Sequence, residues 1–454
     1  MKKFTLTVLT AIVFIFTLFL VLSFAPEKCL AALHDPMVGP GLEANSLGGA
    51  SSYTRGTTFS AFGNPATIIL AKAPQISLSF DYYEPNLDSP ALINTNTLAQ
   101  RQTPSATEQS DPNVSTRSVG VGLVFPLSKY FAFGLSAYLP SNTLARIFTL
   151  SGNDSYYLSF NPRTQKPEIF SALALKLPYG FSVGAGLFYS LEVAGNVQIA
   201  ITQNDAEARM LVDLIPVYTP YLGVLYNYND LSFGTLYRAE QSSKAKVDVD
   251  VNFELNLNSN LATIPFESSS QLVAFYDPAT YGFGGSYHLG DWGFYAGGEH
   301  RLWSHYRAPI IGLEGKDLQT LTGSALKPEV IKLKNTTSLR AGIERELEFL
   351  LFNQSFLLTT TLGFEQHPSA LPDKLQSLAI VDTAKSALGL GLNLDCKAKL
   401  LGQEHSFKFG MGGKWILLHE QKLEVIDNSS GQITQTAHVG GSIFAFIGEF
   451  GVQY

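Results

Sequence analysis

The stretch Val247–Leu257 reads Val-Asp-Val-Asp-Val-Asn-Phe-Glu-Leu-Asn-Leu, so an apolar residue occupies every second position. A second stretch, Leu388–Leu394, reads Leu-Gly-Leu-Gly-Leu-Asn-Leu with the same spacing. Successive side chains of a β-strand point to opposite faces, so this period of two predicts strands with one apolar face and one polar or small face. The same alternation occurs in 119–125 and 339–343. The sequence therefore predicts an all-β protein.

The composition of the 454 residues differs from that of a soluble domain. Only 15% of the residues are charged, against about 25% in soluble domains. The net charge of -7 argues against a nucleic-acid partner, which would need a basic face. Two cysteines exclude a disulfide scaffold and a cysteine-rich metal site. The shortage of charge is explained if one face of each strand meets lipid, and we expect Val249, Leu390 and Ile343 on that face.

Residues 1–32 form a separate leader. Lys2 and Lys3 precede the uncharged run Phe4–Phe24, and small residues follow, which predicts a secretory signal peptide cleaved near Ala32. The apolar run is longer than the usual core of about 7–15 residues, so an uncleaved membrane anchor is the alternative. No second apolar run near 20 residues follows, and no further transmembrane helix is expected. The protein is predicted to be exported.

Residues 74–454 are predicted to form a transmembrane antiparallel β-barrel of about 14 strands. The runs are often much longer than the five or six residues that are typical of soluble strands, and an even number of strands is typical of bacterial outer-membrane barrels. A soluble sandwich with an apolar interior is the alternative. We assign the strands to 75–84, 115–126, 130–140, 167–177, 180–199, 208–228, 231–258, 270–288, 291–306, 335–347, 353–367, 384–399, 404–425 and 437–453.

The connections between these strands alternate in length. Very short connections at 127–129, 178–179, 229–230 and 290 alternate with longer polar connections. This alternation is typical of an outer-membrane barrel, which has short periplasmic turns and long outer loops. Aromatic residues flank the short turns, which is typical of the girdle at a membrane interface. The last strand carries apolar residues at every second position up to the terminal Tyr454.

The segment 33–73 lies between the leader and the first strand. It is too rich in Gly and Pro for a regular helix and too apolar for a disordered tail, so we expect a compact plug, with a loose periplasmic linker as the alternative. Residues 45–50 read Asn-Ser-Leu-Gly-Gly-Ala, and residues 62–66 read Phe-Gly-Asn-Pro-Ala. These two runs resemble the N-terminal hatch of the long-chain fatty acid transporter family (FadL type), which includes the aromatic-hydrocarbon transporters.

A second region carries the same resemblance. Residues 339–342 read Leu-Arg-Ala-Gly, and Pro372-Asp373 and then Asp382 precede the strand from Ser386. Family members have a similar strand, Pro-Asp loop and acidic residue in this order. Two features depart from the family pattern. The final residue is Tyr454 rather than Phe, and Thr67-Ile68 follows the Asn-Pro-Ala motif.

The resemblance implies a barrel blocked by the hatch. A hydrophobic compound is then taken from an outer groove, passes to a lumen pocket and leaves sideways near the third strand, for which 131–140 with Gly134 is our candidate. We expect residues 63–66 to be the moving part of the hatch and Arg340 and Glu344 to join a polar network in the lumen. The predicted gate residues are Gly48, Gly49, Ala50, Gly63, Asn64, Pro65 and Ala66.

No enzyme is predicted. The sequence lacks a Gly-x-Ser-x-Gly motif, and His300 and His305 are separated by five residues, which puts them on opposite faces of a strand. No metal or cofactor is expected. The predicted function is uptake of hydrophobic small molecules across the bacterial outer membrane, first of all long-chain fatty acids, by a monomer surrounded by outer-membrane lipid. The alternatives are a general porin, an outer-membrane lipid hydrolase and a barrel for surface assembly.

Overall fold

The structure is a computed structural model. It describes residues 37, 39–88, 93–94, 113–141, 156–160, 166–201, 206–257, 260–306, 310–314, 332–351, 354–375, 380–400, 403–426 and 432–454. The predicted leader 1–32 lies outside the described residues.

The described residues form mostly strands. In the first half these are β1 Gln75–Leu87, β2 Ile93–Asn94, β3 Thr116–Pro126, β4 Phe131–Pro140, β5 Tyr156–Tyr157, β6 Glu168–Lys176, β7 Phe181–Ile201, β8 Ala206–Tyr228, β9 Leu231–Arg238 and β10 Gln241–Leu257. The second half has β11 Asn260–Asp277, β12 Thr280–Leu289, β13 Trp292–Arg301, β14 Ile310–Glu314, β15 Thr336–Leu351, β16 Gln354–His367, β17 Ile380–Val381, β18 Lys385–Leu400, β19 Gln403–Ile426 and β20 Ile433–Gln453. Helical turns are the α-helix Leu42–Ser46 and the 3₁₀ helices Ala50–Tyr53, Pro65–Leu70, Pro178–Gly180 and Trp303–His305.

Fourteen of these strands close into an antiparallel barrel. The ring runs β1, β3, β4, β6, β7, β8, β9, β12, β13, β15, β16, β18, β19 and β20, and β20 pairs back with β1 from Gln75 opposite Gln453 to Leu87 opposite Gly441. The last strand is therefore the closing strand, and the ring has no open edge. The predicted number of about 14 strands is confirmed.

Two predicted strands have wrong boundaries. The predicted strand 231–258 breaks after β9, and 270–288 breaks before β12, where Pro278 interrupts the chain. Between the breaks, β10 and β11 form a hairpin outside the ring, and β10 pairs in parallel with β7, on the edge that β6 leaves free. The stretch Val247–Leu257 is indeed a strand, but it belongs to this hairpin. Val249 therefore does not belong to the lipid-facing wall, and this prediction is wrong. The alternation identifies the strand but does not show which strands lie beside it.

The wall itself has one apolar and one buried face. On β18, Leu388, Leu390 and Leu392 are exposed, Leu390 at 56%, whereas Gly389 and Gly391 between them are buried. An outer surface of large apolar side chains and an inner surface of small or polar ones is what a barrel in a bilayer presents.

Aromatic side chains collect at the short turns. Tyr130, Tyr179, Tyr228 and Trp292 are all exposed at that end of the ring. Their rings form a band at one rim, as the girdle prediction requires. Among the described residues, no helix is long and apolar enough to cross a membrane.

Candidate functional site

The segment 39–73 contacts wall strands around nearly the whole ring. Its α-helix meets β16, β18, β19 and β20; the 3₁₀ helix Ala50–Tyr53 meets β9, β12, β13 and β15; and the 3₁₀ helix Pro65–Leu70 meets β4, β6, β7 and β8. A single short segment can reach opposite walls of a closed ring only from the inside. The contacts therefore place this segment among the buried faces of the strands.

Asn64 organises the second half of the segment. Its side chain is fully buried and accepts a hydrogen bond from the Ala66 amide at 3.0 Å, which caps the 3₁₀ helix that Pro65 begins. Its amide nitrogen donates to the Tyr53 carbonyl oxygen at 2.8 Å and to the Val224 carbonyl oxygen at 3.0 Å. One side chain thus joins two parts of the segment to each other and to β8.

The Asn64 turn rests on three glycines of the wall, Gly184, Gly223 and Gly234, which we call the Asn64 seat. A Cβ at Gly184 would lie within 3 Å of the Pro65 backbone, and one at Gly223 would collide with the Asn64 side chain. Gly184 and Gly223 are cross-strand partners on β7 and β8. Glycine inside a strand permits this close approach of a second backbone.

A second set of glycines, Gly342, Gly363 and Gly389, supports the other half and is called the Gly48 seat. These three are successive cross-strand partners on β15, β16 and β18. A Cβ at any of them would lie within 3 Å of the backbone of residues 45–48. Gly48 and Gly49 have φ of 61° and 72°, a left-handed conformation that side chains disfavour.

An ionic network surrounds the Gly48 half. Arg55 pairs with Glu43 of the segment at 2.8 Å and with Glu344 of β15, while Lys408 of β19 also pairs with Glu43. Burial alone would raise the pKa of Glu43, but the charges of Arg55 and Lys408 outweigh it and lower the pKa to about 2. Glu43 is therefore ionised at neutral pH. The main-chain amide of Leu42 adds a hydrogen bond of 2.8 Å to Glu449 of β20.

The predicted polar residues Arg340 and Glu344 both face inward on β15 but do not meet each other in an ion pair. Glu344 is bound by Arg55. Arg340 pairs with Glu299 at 2.7 Å and donates to the Tyr53 hydroxyl at 2.7 Å. Each of them thus ties the wall to the segment. Sequence reasoning missed Arg55, Glu43 and Lys408. Arg55 and Glu43 are 12 positions apart, but Glu344 and Lys408 are remote from them along the chain.

An aromatic cluster lies beside the Asn64 half. Phe170 stacks on Phe188 with ring centroids 4.3 Å apart and meets Phe62 edge-on at 4.9 Å. The Arg238 guanidinium lies 4.8 Å from the Phe170 ring centre and donates to the Phe62 carbonyl oxygen at 2.7 Å. Its buried Nε has no hydrogen-bond partner among the described residues. Tyr221 closes the cluster and donates to the Ala61 carbonyl oxygen at 2.7 Å.

Outer loops fold over the opposite end from the short turns. β5 pairs in parallel with β17, and the Tyr157 hydroxyl lies 3.0 Å from the Asp88 carbonyl oxygen and 3.2 Å from that of Gly440. Asp382, from the family-like stretch, is buried and bonds the Ala370 amide at 2.8 Å and Lys385 at 2.6 Å. This acidic residue therefore fixes the loop before β18.

Strand β4, our candidate third strand, is paired along both edges. It pairs with β3 and β6 without a register shift, from Phe131 opposite Leu175 to Tyr138 opposite Glu168 on the β6 side. Gly134 faces Ile68 of the segment.

The described residues also contain no cluster of three or more His, Cys, Asp or Glu side chains placed to hold a metal ion.

Comparisons with known proteins concern the fold. No protein-family profile and no curated protein matches the sequence. The structure is similar to that of a FadL homologue of Pseudomonas aeruginosa, with a TM-score of 0.59, 14% identity and coverage of 94% of this chain and 99% of that one. It is also similar to the monoaromatic hydrocarbon channel CymD, with a TM-score of 0.52, 13% identity and coverage of 93% and 99%.

A third similar structure is the toluene transporter TodX of P. putida, with a TM-score of 0.50, 11% identity and coverage of 92% and 99%. The match extends over nearly the whole length of each of these proteins. The chain therefore has the fold of the FadL-type transporters, as the resemblance in its sequence predicted.

Proposed function

We propose that the protein is an outer-membrane transporter that takes up hydrophobic small molecules through a barrel plugged by residues 33–73. The observation that carries this proposal is the combination of an apolar outer wall with an internal segment held on two glycine seats. An open water-filled pore would give an apolar solute no favourable path, since burial of apolar surface contributes about 25 cal/mol per Å². A plugged, partly apolar lumen can bind such a solute instead.

The first substrate class that we propose is long-chain fatty acids. The aromatic cluster of Phe62, Phe170, Phe188 and Tyr221 offers apolar contact, and the Nε of Arg238 offers a positive donor beside it. A guanidinium binds a carboxylate by charge-assisted hydrogen bonds. Aromatic hydrocarbons, which the similar channels carry by their names, would use the rings without the cation.

Uptake by cells or liposomes that contain the protein tests the proposal. We expect Asn64→Ala with Pro65→Ala to reduce uptake of radiolabelled oleate, because the capped turn is lost, while the heat stability of the barrel in detergent is kept. Equal uptake would contradict the role of residues 63–66. A large conductance in planar bilayers that does not depend on this segment would instead favour a general porin.

The same assay separates the two substrate classes. Arg238→Met keeps the unbranched apolar stem of the side chain and removes the charged guanidinium. Fatty-acid uptake is expected to fall while toluene uptake is unchanged; if both are unchanged, Arg238 does not bind the carboxylate.

We further propose lateral release at β4, which would require its hydrogen bonds to β3 or β6 to open. A disulfide that locks β4 to β6 and a second that locks β4 to β3 test the two edges separately, and release that survives both locks would contradict an exit at β4.

A further inference from the structure

The hairpin of β7 and β8 rises beyond its neighbours in the ring. β6 stops pairing with β7 at Tyr189, and β9 stops pairing with β8 at Tyr221. The pairing of β7 with β8 continues to Ile201. We call residues 190–201 and 206–217 the outer hairpin. It extends past the ring on the side of the long loops, and β10 pairs along the edge of β7 that β6 leaves free.

Two aromatic pairs mark the height of the bilayer on these strands. Phe181 lies opposite Tyr226 next to the short turn, with ring centroids 4.6 Å apart. Tyr189 lies opposite Tyr218 where the ring ends, with ring centroids 5.2 Å apart. Between the two pairs the strand climbs about 20 Å, since it advances about 3.3 Å per residue at a tilt of about 40°. This climb is close to the apolar band of about 25 Å that a barrel presents, so the pairs lie at its two interfaces.

The outward face of the outer hairpin stays apolar above the upper aromatic pair. Every second residue beyond Tyr189 and Tyr218 shares their face. Apart from Gly195, Ala208 and Pro216, these residues are Leu191, Val193, Val197 and Ile199 on β7 and Met210, Val212 and Leu214 on β8. Met210 is 71% exposed and Leu214 is 62% exposed. The apolar surface of the ring therefore continues above the height at which the apolar band of a bilayer ends.

β19 shows the pattern of a strand that leaves the bilayer for water. Its outward residues Trp415 and Leu417 are exposed and apolar, and β18 pairs with it up to Leu418. The next four residues are all polar and exposed: His419, Glu420, Gln421 and Lys422. The outward face of the outer hairpin has no such change. A large exposed apolar patch on a protein marks an interaction surface.

The opposite face of the outer hairpin is mostly polar. It carries Glu192, Ala194, Asn196 and Gln198 on β7 and Glu207, Arg209, Leu211, Asp213 and Ile215 on β8. On β10, Lys246 and Asp248 lie on this same face and pair with each other at 2.8 Å. The outer hairpin and β10 thus form an amphipathic sheet, whose apolar side is the continuation of the lipid-facing surface of the ring.

We propose that the outward face of the outer hairpin rests on the surface of the membrane, where lipid at the boundary between acyl chains and headgroups covers it. A sheet that leans away from the barrel axis turns its outward face down toward the bilayer and its charged face up toward water. Amphipathic segments lie in the interface in this way, with the apolar face buried by about 5–10 Å. The proposal requires a barrel in a membrane but no particular substrate, so it is tested independently of uptake.

Spin labels on the full chain in liposomes of phosphatidylcholine and phosphatidylglycerol test this contact. With Cys29 and Cys396 replaced by Ser, one label at a time is attached to Arg209→Cys, Met210→Cys, Val212→Cys, Asp213→Cys and Leu214→Cys. Power saturation compares collision with O₂, which is enriched in lipid, and with a water-soluble nickel complex. We expect a high ratio of O₂ to nickel collisions at 210, 212 and 214 and a low ratio at 209 and 213.

Two further labels calibrate this measurement. Leu222→Cys lies on the outward face of β8 within the ring, and its ratio is the reference for lipid. Asp230→Cys lies at an exposed short turn, and its ratio is the reference for water. The labelled positions on the outer hairpin are all exposed, so the heat-unfolding midpoint of the barrel should stay unchanged.

Two results would overturn the proposal. If the nickel complex reaches all five positions as well as it reaches 230, the outer hairpin stands in water. If neither reagent reaches 210, 212 and 214, protein covers the apolar face, and a second copy or another protein is the partner instead of lipid.

Discussion

The two halves of the internal segment are held on the same kind of support but by different forces. Each rests on three wall glycines that allow backbone to approach backbone. The Gly48 half is additionally bound by ion pairs, through Arg55 to Glu344 and through Glu43 to Lys408. The Asn64 half contains no charged side chain and is bound through neutral groups: Asn64 donates to the Val224 carbonyl oxygen, and the Phe62 carbonyl oxygen accepts from Arg238.

This difference separates an anchored half from a half that can move. The carboxylates of these ion pairs are buried while Arg55 and Lys408 are about a fifth exposed, so loss of a cation leaves a buried carboxylate with less compensation. The hydrogen bonds of Asn64 itself are neutral, each worth about 0.5–1.5 kcal/mol net, and the one charged group bound to this half among the described contacts is Arg238, which donates to the Phe62 carbonyl oxygen. The proposal that residues 63–66 move is therefore consistent with how the segment is attached. Amide hydrogen exchange can follow peptides from each half separately.

The largest effect is expected for Arg55→Met. Loss of the guanidinium leaves Glu344 buried without that cation and removes one of the two cations bound to Glu43. Removal of one partner of a buried pair costs about 3–5 kcal/mol. Hydrogen exchange should rise strongly in residues 39–55 and much less in 62–71. Arg345→Met, on the outer face of the same strand, is the control; a similar rise there would contradict the anchoring role.

The second-largest effect is expected for a substitution in the Gly48 seat. Gly363→Ala places a methyl group against the backbone of Leu47 and Gly48, which has no flexible end to move away. Overpacking of this kind costs about 1–3 kcal/mol, and we expect the upper end. The heat-unfolding midpoint should fall and residues 39–50 should exchange faster. Gly195→Ala is the matched control, because its methyl group would make only ordinary contacts beyond 3.5 Å.

The alternation of apolar residues predicted much of the fold, and there are physical reasons why it did not predict the rest. The number of ring strands, the short turns near Asn229 and Gly290 and the closing strand all follow from alternation and turn residues. The position of Val249 did not, because a two-residue period contains no information on which strand lies beside β10. The break at Pro278 was visible in the sequence, since proline removes a ladder hydrogen bond.

Only part of the candidate site could be predicted from the sequence. Glycine within strands, as at Gly389 and Gly391, signals close approach of another backbone, and this signal was available in the sequence. Which glycines lie opposite one another depends on register across three strands. The partners Arg55 and Glu344 are 289 positions apart, so no local pattern could join them.

A smaller effect is expected for Asn64→Asp. The new side chain can still accept from the Ala66 amide, but it cannot donate to the carbonyl oxygens of Tyr53 and Val224. An acceptor that loses its donor costs about 1–3 kcal/mol, here confined to the neutral half. Exchange should rise in 62–71 and stay unchanged in 39–50. A rise in both halves would show that Asn64 supports the whole segment and that the two halves are not separable.

The last effect is expected from acid, and it should appear in the charged half alone. Glu43 has a pKa of about 2 in the folded protein against an ordinary 4.5. A lowered pKa contributes stability that is complete above about pH 4.5 and is lost as the pH falls toward 2. Hydrogen exchange, corrected for intrinsic rates, is measured between pH 5 and 2.5. Exchange in residues 39–55 should become faster as the pH falls. Exchange in 62–71 should change little, because this part has no such carboxylate. Glu43→Gln has no carboxylate to titrate at this position, so its residues 39–55 should lose most of that pH dependence; an unchanged dependence would assign the acid response to another group.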